Sequence, residues 1–114
     1  MFGLAVRWSL AEVTPQTEQD LRDYVAEESF ARFAALADLH QKTWRMVSGA
    51  YSEGVYVFSS DSSREAFQSD FTPRVGDSKV SEIVGSSPIA IEPFEVLALV
   101  EGPAQFRAAA RFES

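Results

Sequence analysis

The feature that most constrains this chain is the order in which its hydrophobic period changes: two, then helical, then two in two successive runs, then helical, then two again. Phe2, Leu4, Val6, Trp8 and Leu10 alternate with Gly3, Ala5, Arg7 and Ser9, which is a strand signal. Thr14 and Pro15 follow as a helix N-cap and a proline at the first helical position. Glu18 and Asp20 come next, where the helix dipole favours acids. Leu21, Tyr24 and Val25, then Phe30, Phe33 and Leu36, recur at helical spacing. The phase slips near Glu28 and Ser29, which predicts an end or a bend there.

From Leu39 the period returns to two, with His40, Lys42, Trp44 and Met46 set against Gln41, Thr43, Arg45 and Val47. A turn is expected within Ser48 to Gly54, before the β-branched and aromatic run Val55 to Phe58. These two runs predict a hairpin. Asp61 or Ser62 is expected to cap the next helix, with Ser62 and Glu65 at capping-box spacing and Pro73 as its end. A short helix from Ser78 to Val84, stopped by Gly85, precedes a last strand within Ile89 to Val100. Pro93 cannot donate to a ladder, so that strand is expected at a sheet edge or at a bulge. The reading is one domain at 1–102 and a tail at 103–114, mobile or docked on a partner.

Strand, helix, strand, strand, helix, strand is the α+β, ferredoxin-like split βαβ order. It implies a four-stranded antiparallel sheet with both main helices on one face and the second strand at an edge. Bulky apolar residues, among them Trp8, Trp44, Tyr56 and Phe58, are expected on both faces of that sheet. An uncovered apolar face would exceed what monomers usually expose. Two sheets packed face to face would cover it, so the patterning predicts a homodimer.

Composition narrows the function classes. Without cysteine there is no disulfide, thiolate metal site or cysteine nucleophile, and a single histidine rules out a two-histidine metal site within one chain. The formal charge is −7, and much of it lies between Glu12 and Asp38, while Leu39 to Ser52 contains no acid. The few bases form no stripe, so nucleic acid is not an expected partner. Apolar runs are far shorter than the roughly twenty residues that span a bilayer, so no membrane partner is expected either. The start of the chain shows no secretory pattern, which makes the cytoplasm the expected location. Neither metal nor organic cofactor is expected, because phosphate-cradling loops and ligand clusters are missing from the sequence.

The stretch Leu39-His40-Gln41-Lys42-Thr43-Trp44-Arg45-Met46, the run Glu53-Gly54-Val55-Tyr56-Val57-Phe58 and the helix with Glu65-Ala66-Phe67 resemble the YdhR-like monooxygenases of the dimeric α/β barrel superfamily. The resemblance covers roughly residues 2 to 101, and its distinctive part is the Lys-x-Trp and Gly-x-Tyr-x-Phe pair. It implies a ferredoxin-like protomer that pairs with a second copy around a cavity, and a relation to oxygenases that work without a cofactor. Fold transfers along such a likeness more safely than chemistry does.

His40, Lys42 and Arg45 are the candidate catalytic residues: the imidazole to take a proton, the two cations to stabilise an enolate or phenolate. Trp44, Tyr56, Trp8 and Tyr24 are the candidate walls for a small aromatic or hydrophobic substrate. Each has an ordinary structural role open to it. Charges on an edge strand guard against aggregation, and aromatic residues at strand or helix spacing build cores. Arg7 and Arg45 each call for a carboxylate, for which Glu92 or Glu95 on the last strand are the candidates, or for a substrate anion. The alternative to an enzyme is a module that only binds a small hydrophobic ligand, or only dimerises.

Overall fold

The computed structural model describes residues 1–112. The last two positions of the expected tail, Glu113 and Ser114, lie outside the described residues. The elements are β1 (Phe2–Ser9), α1 (Pro15–Tyr24), a π-helical segment (Val25–Ser29), α2 (Phe30–Ala34), β2 (Leu39–Val47) and β3 (Tyr51–Phe58). They are followed by α3 (Asp61–Phe71), a 3-10 turn (Thr72–Asp77), α4 (Lys79–Val84) and β4 (Ala90–Glu95). The sheet is antiparallel in the order β2-β3-β1-β4, an α+β fold with β2 at one edge and the proline-bearing β4 at the other.

Local chemistry accounts for the element ends. Thr14 caps α1 by accepting the Thr17 N–H, with Pro15 at the first helical position. The phase slip near Glu28 is the π-helical segment, where one extra residue per turn re-aims everything after it without breaking the helix. Ser60, rather than Asp61 or Ser62, caps α3: its extended backbone lets its hydroxyl accept the Ser63 N–H at 3.1 Å. Gly85 ends α4 in the left-handed region, at φ 83°.

Two sequence expectations are corrected by the strand register. Gly54 is no turn residue. The β2–β3 turn is only Ser48 to Ala50, and Gly54 lies inside β3 opposite Trp44. Nor do Trp8, Trp44, Tyr56 and Phe58 divide between two faces. Cross-strand partners share a face, and the pairs Leu4↔Tyr56, Phe2↔Phe58, Trp8↔Ser52 and Trp44↔Gly54 place all four on the same side.

The helices pack on that side too. Leu4, Val6, Trp8, Tyr56 and Phe58 form one cluster with Phe33 of α2 and Val75, against which Phe67, Phe71, Val80 and Val84 also pack. The opposite face carries Gly3, Ala5, Arg7, Glu53, Val55, Val57 and Arg45 together with Tyr51 and Phe94. At Gly3 the Phe94 ring of β4 lies over the β1 backbone. A Cβ there would lie 2.6 Å from the Tyr56 carbonyl oxygen and would run into the Phe94 ring. Gly3→Ala is therefore expected to destabilise the fold by about 2 kcal/mol, because a strand carbonyl cannot rotate away. A urea midpoint unchanged from wild type would contradict this packing.

Candidate functional site

The site is built on the edge between α1, α2 and β2. β2 contains a bulge: Leu39 pairs with Phe58 and Gln41 with Val57, so His40 is the extra residue. The bulge removes His40 from the Lys42 row, where strict alternation would put it; it has no cross-strand partner and sits exposed at the rim. After the bulge, Lys42, Trp44 and Met46 point to the helix-covered face, opposite Tyr56, Gly54 and Ser52.

The Lys42 ammonium position is enclosed by rings. Nζ lies 3.4 Å from the ring centre of Phe33, 4.3 Å from Tyr56 and 4.5 Å from Trp44. Gly54 makes the arrangement possible: a Cβ there would lie 3.3 Å from Lys42 Cε and 3.2 Å from the Tyr56 ring, so its missing side chain is the bed for the lysine stem. The π-helical segment supplies the next layer. It ends on the buried Ser29, whose Oγ accepts the Trp44 indole N–H at 3.1 Å, and Phe30 stands 6.0 Å from the Trp44 ring.

Among the described residues Lys42 has neither a carboxylate nor a hydrogen-bond partner, and no fully occluded side-chain polar atom is left without one. Its Nζ is therefore not fully occluded, although three rings stand around it. Burial, with the nearby Arg32 charge as a second cause, lowers its pKa from 10.5 to about 6. The three ring faces favour the ammonium by roughly 0.5–2 kcal/mol each and offset only part of that desolvation. At neutral pH Lys42 is therefore mostly the free amine. Burial also pushes the Tyr56 phenol up, so it stays protonated.

The space beside Lys42 is a cavity of about 630 Å³. Leu21, Val25, Phe30 and Phe33 wall it from the helices, Lys42, Trp44 and Met46 from β2, and Phe106 to Phe112 from the tail. Arg111 holds the tail down through Asp23 at 3.2 Å. Arg22, Arg45, Arg107, Arg111 and His40 also line it, and among the described residues no Asp or Glu does, in a chain whose net charge is −7. An apolar, basic-rimmed cavity of this size suits a flat aromatic compound with an acidic group.

Of the expected site residues, His40, Lys42, Arg45 and Trp44 border the cavity, although the Arg45 guanidinium is engaged by Glu53 on the other face of the sheet. Tyr56 stands behind the lysine as part of its ring box. Trp8 and Tyr24 are buried elsewhere, Trp8 donating its indole N–H to Ser81 Oγ at 3.0 Å. Phe33, Gly54, Ser29 and the tail were not anticipated. Phe33 and Ser29 show only helical or small-residue character in sequence, and Gly54 reads as a turn.

Arg45 is tied down on the opposite face. Arg7, Glu53 and Arg45 are direct neighbours across β1, β3 and β2, and the Glu53 carboxylate accepts from Arg7 Nε at 2.9 Å and from Arg45 Nε at 2.8 Å. The carboxylate partner of both arginines is thus Glu53, not Glu92 or Glu95. Burial alone would raise the Glu53 carboxyl, but the two hydrogen bonds outweigh it and hold it below its usual 4.5. Its contribution to stability is present above that value and lost as pH falls through the lowered one. Glu53→Gln is expected to lower stability by roughly 2 kcal/mol at pH 7, discounted because both guanidiniums are partly exposed. It should also remove part of the acid dependence of the melting temperature. A wild-type-like acid limb in the variant would mean that the pairing contributes nothing.

Among the described residues no group of three His, Asp or Glu side chains is placed to hold a metal, and no helix is long and apolar enough to cross a membrane. No family model matches the chain, and no match is found among the curated proteins. Among solved structures, the chain is similar to NE2512, a protein of unknown function from Nitrosomonas europaea. The TM-score is 0.63 and the identity 18%, over 89% of this chain and 93% of that one. At that identity the likeness is one of fold.

Proposed function

We propose that this chain is a small enzyme of the cofactor-independent monooxygenase class, related to the YdhR-like family, acting on a flat aromatic compound with an acidic hydroxyl. The observation that carries the reading is the Lys42 amine in a box of three rings, facing a cavity that no carboxylate lines among the described residues. A neutral amine there is a general base: it takes the hydroxyl proton, and the resulting anion is favoured by the ammonium so formed and by the basic rim. The electron-rich ring then reacts with dioxygen in a site from which most water is excluded. In the overall reaction a ring methylene of the keto tautomer becomes a carbonyl. One oxygen atom is retained, and the other leaves as water with the two displaced hydrogens.

The test is oxygen uptake with a panel of phenolic and quinol compounds, beside quenching of Trp44 fluorescence to report binding. Turnover that Lys42→Met lowers by at least ~100-fold, with quenching kept, supports the reading, since general bases contribute about that much. Quenching without turnover for any compound would leave the alternative, a non-catalytic binder of hydrophobic anions. The proposal extends to a homodimer of ferredoxin-like protomers paired through the face that bears Ala5, Val55 and Val57. Light scattering at micromolar concentration that gives the mass of a monomer would remove that part.

A further inference from the structure

We propose that the Lys42 amine is also a covalent nucleophile, which condenses with the carbonyl carbon of a flat aromatic aldehyde or ketone seated in the cavity. This rests on the pocket of the preceding proposal and not on its oxygen chemistry. Three observations carry it. The stem is held in place, with Cε over Gly54, where a Cβ would lie 3.3 Å away, and Nζ 4.3 Å from the Tyr56 ring centre. Among the described residues no carboxylate lines the cavity to pair with that nitrogen and occupy its lone pair as an ammonium. The rings of Phe33 and Trp44 beside it give a planar carbonyl compound surfaces to stack on while it is attacked. Desolvation, with a second cation nearby, is the established way to activate a lysine toward carbonyls, and Arg32 is the cation that disfavours a charge on Lys42.

The step balances without an oxidant. The nitrogen lone pair attacks the carbonyl carbon, the C=O π pair moves to oxygen, and a proton passes from nitrogen to that oxygen. The carbinolamine then loses its hydroxyl as water, forming the C=N bond. Amine and carbonyl give imine and water.

The chain has only two lysines, Lys42 and Lys79, so the test is clean. Lys79 is on the exposed side of α4, 3.8 Å from Glu82. The protein is incubated at neutral pH with 2-naphthaldehyde and cyanoborohydride, which adds hydride to the imine carbon and locks the adduct. Mass mapping then locates the naphthylmethyl group. The expected result is labelling of Lys42 at least ~10-fold faster than Lys79, because only the cavity offers the aldehyde rings to stack on beside an amine that no carboxylate among the described residues pairs. That labelling should vanish in Lys42→Arg. Labelling of Lys79 or the N-terminal amine with Lys42 untouched would overturn the inference. 2-Naphthalenemethanol, which cannot form an imine, separates the two proposals. If it quenches Trp44 and Lys42 is still unlabelled, only the covalent step falls. If it neither quenches nor is Lys42 labelled, the pocket itself falls with it.

Discussion

Replacing Lys42 with methionine is expected to raise the melting temperature by roughly 10 °C at pH 7, while the turnover proposed for the wild type is lost. The stability gain follows from linkage. The amine has a pKa of about 6 in the folded chain against an ordinary 10.5, so the folded state binds less proton than the unfolded one between those values. For a base shifted down, folding is penalised most below about pH 6, and the penalty shrinks as pH rises, disappearing above about 10.5. The full shift would correspond to about 6 kcal/mol. Some solvent reaches the side chain, so about 2–3 kcal/mol at pH 7 is the expected gain. Methionine fills the same channel over Gly54 without a charge to desolvate. Thermal melts of both proteins from pH 5.5 to 10 check this: the gap should narrow steadily toward alkaline pH. A constant gap, or a less stable variant, would show that Lys42 keeps its ammonium in the fold.

Phe33→Ala is expected to act in the opposite direction and more strongly, lowering stability by about 3–4 kcal/mol, or roughly 15 °C. Phe33 is 6% exposed and meets three rings edge-on, with centroids at 5.4 Å from Tyr56 and 6.1 Å from both Trp44 and Phe67. It is also the nearest ring to the lysine, so removing it leaves a void that admits water beside Nζ. The Lys42 pKa should then climb back toward its ordinary value. The two substitutions are accordingly non-additive: Lys42→Met should stabilise the Phe33→Ala protein by at least ~1 kcal/mol less than it stabilises the wild type. Urea unfolding of the four proteins of this cycle measures the coupling. Additivity within about 0.5 kcal/mol would mean that Phe33 does not keep the amine dry.

Much of the secondary structure is legible in the chain because its causes are local. The alternation of Phe2 to Leu10 and the Thr14-Pro15 start depend only on neighbours, and so do the slip at Glu28 and the stop at Gly85. Pro93 at the β4 edge follows from a missing donor. The site is legible only in part. Lys42 and Trp44 fall on one strand face by spacing alone, and both line the cavity. Glu53 and Gly54 are misread as turn because their residue types suit a turn, whereas their roles come from partners on other strands. His40 is displaced by a bulge that the strand itself does not announce.

The sequence by itself determined the order of elements, the likeness of the Lys42 and Trp44 directions, and the shortage of thiols and imidazoles that restricts any chemistry here. Only the tertiary structure decided what surrounds the amine. A lysine's proton affinity depends on how much water and which charges lie within a few ångströms. For Lys42 those neighbours are Phe33, nine positions earlier, Tyr56, across the sheet, and Gly54, whose contribution is the space it leaves empty. Periodicity can say that a side chain points inward; register and packing decide whether it meets a carboxylate or three rings.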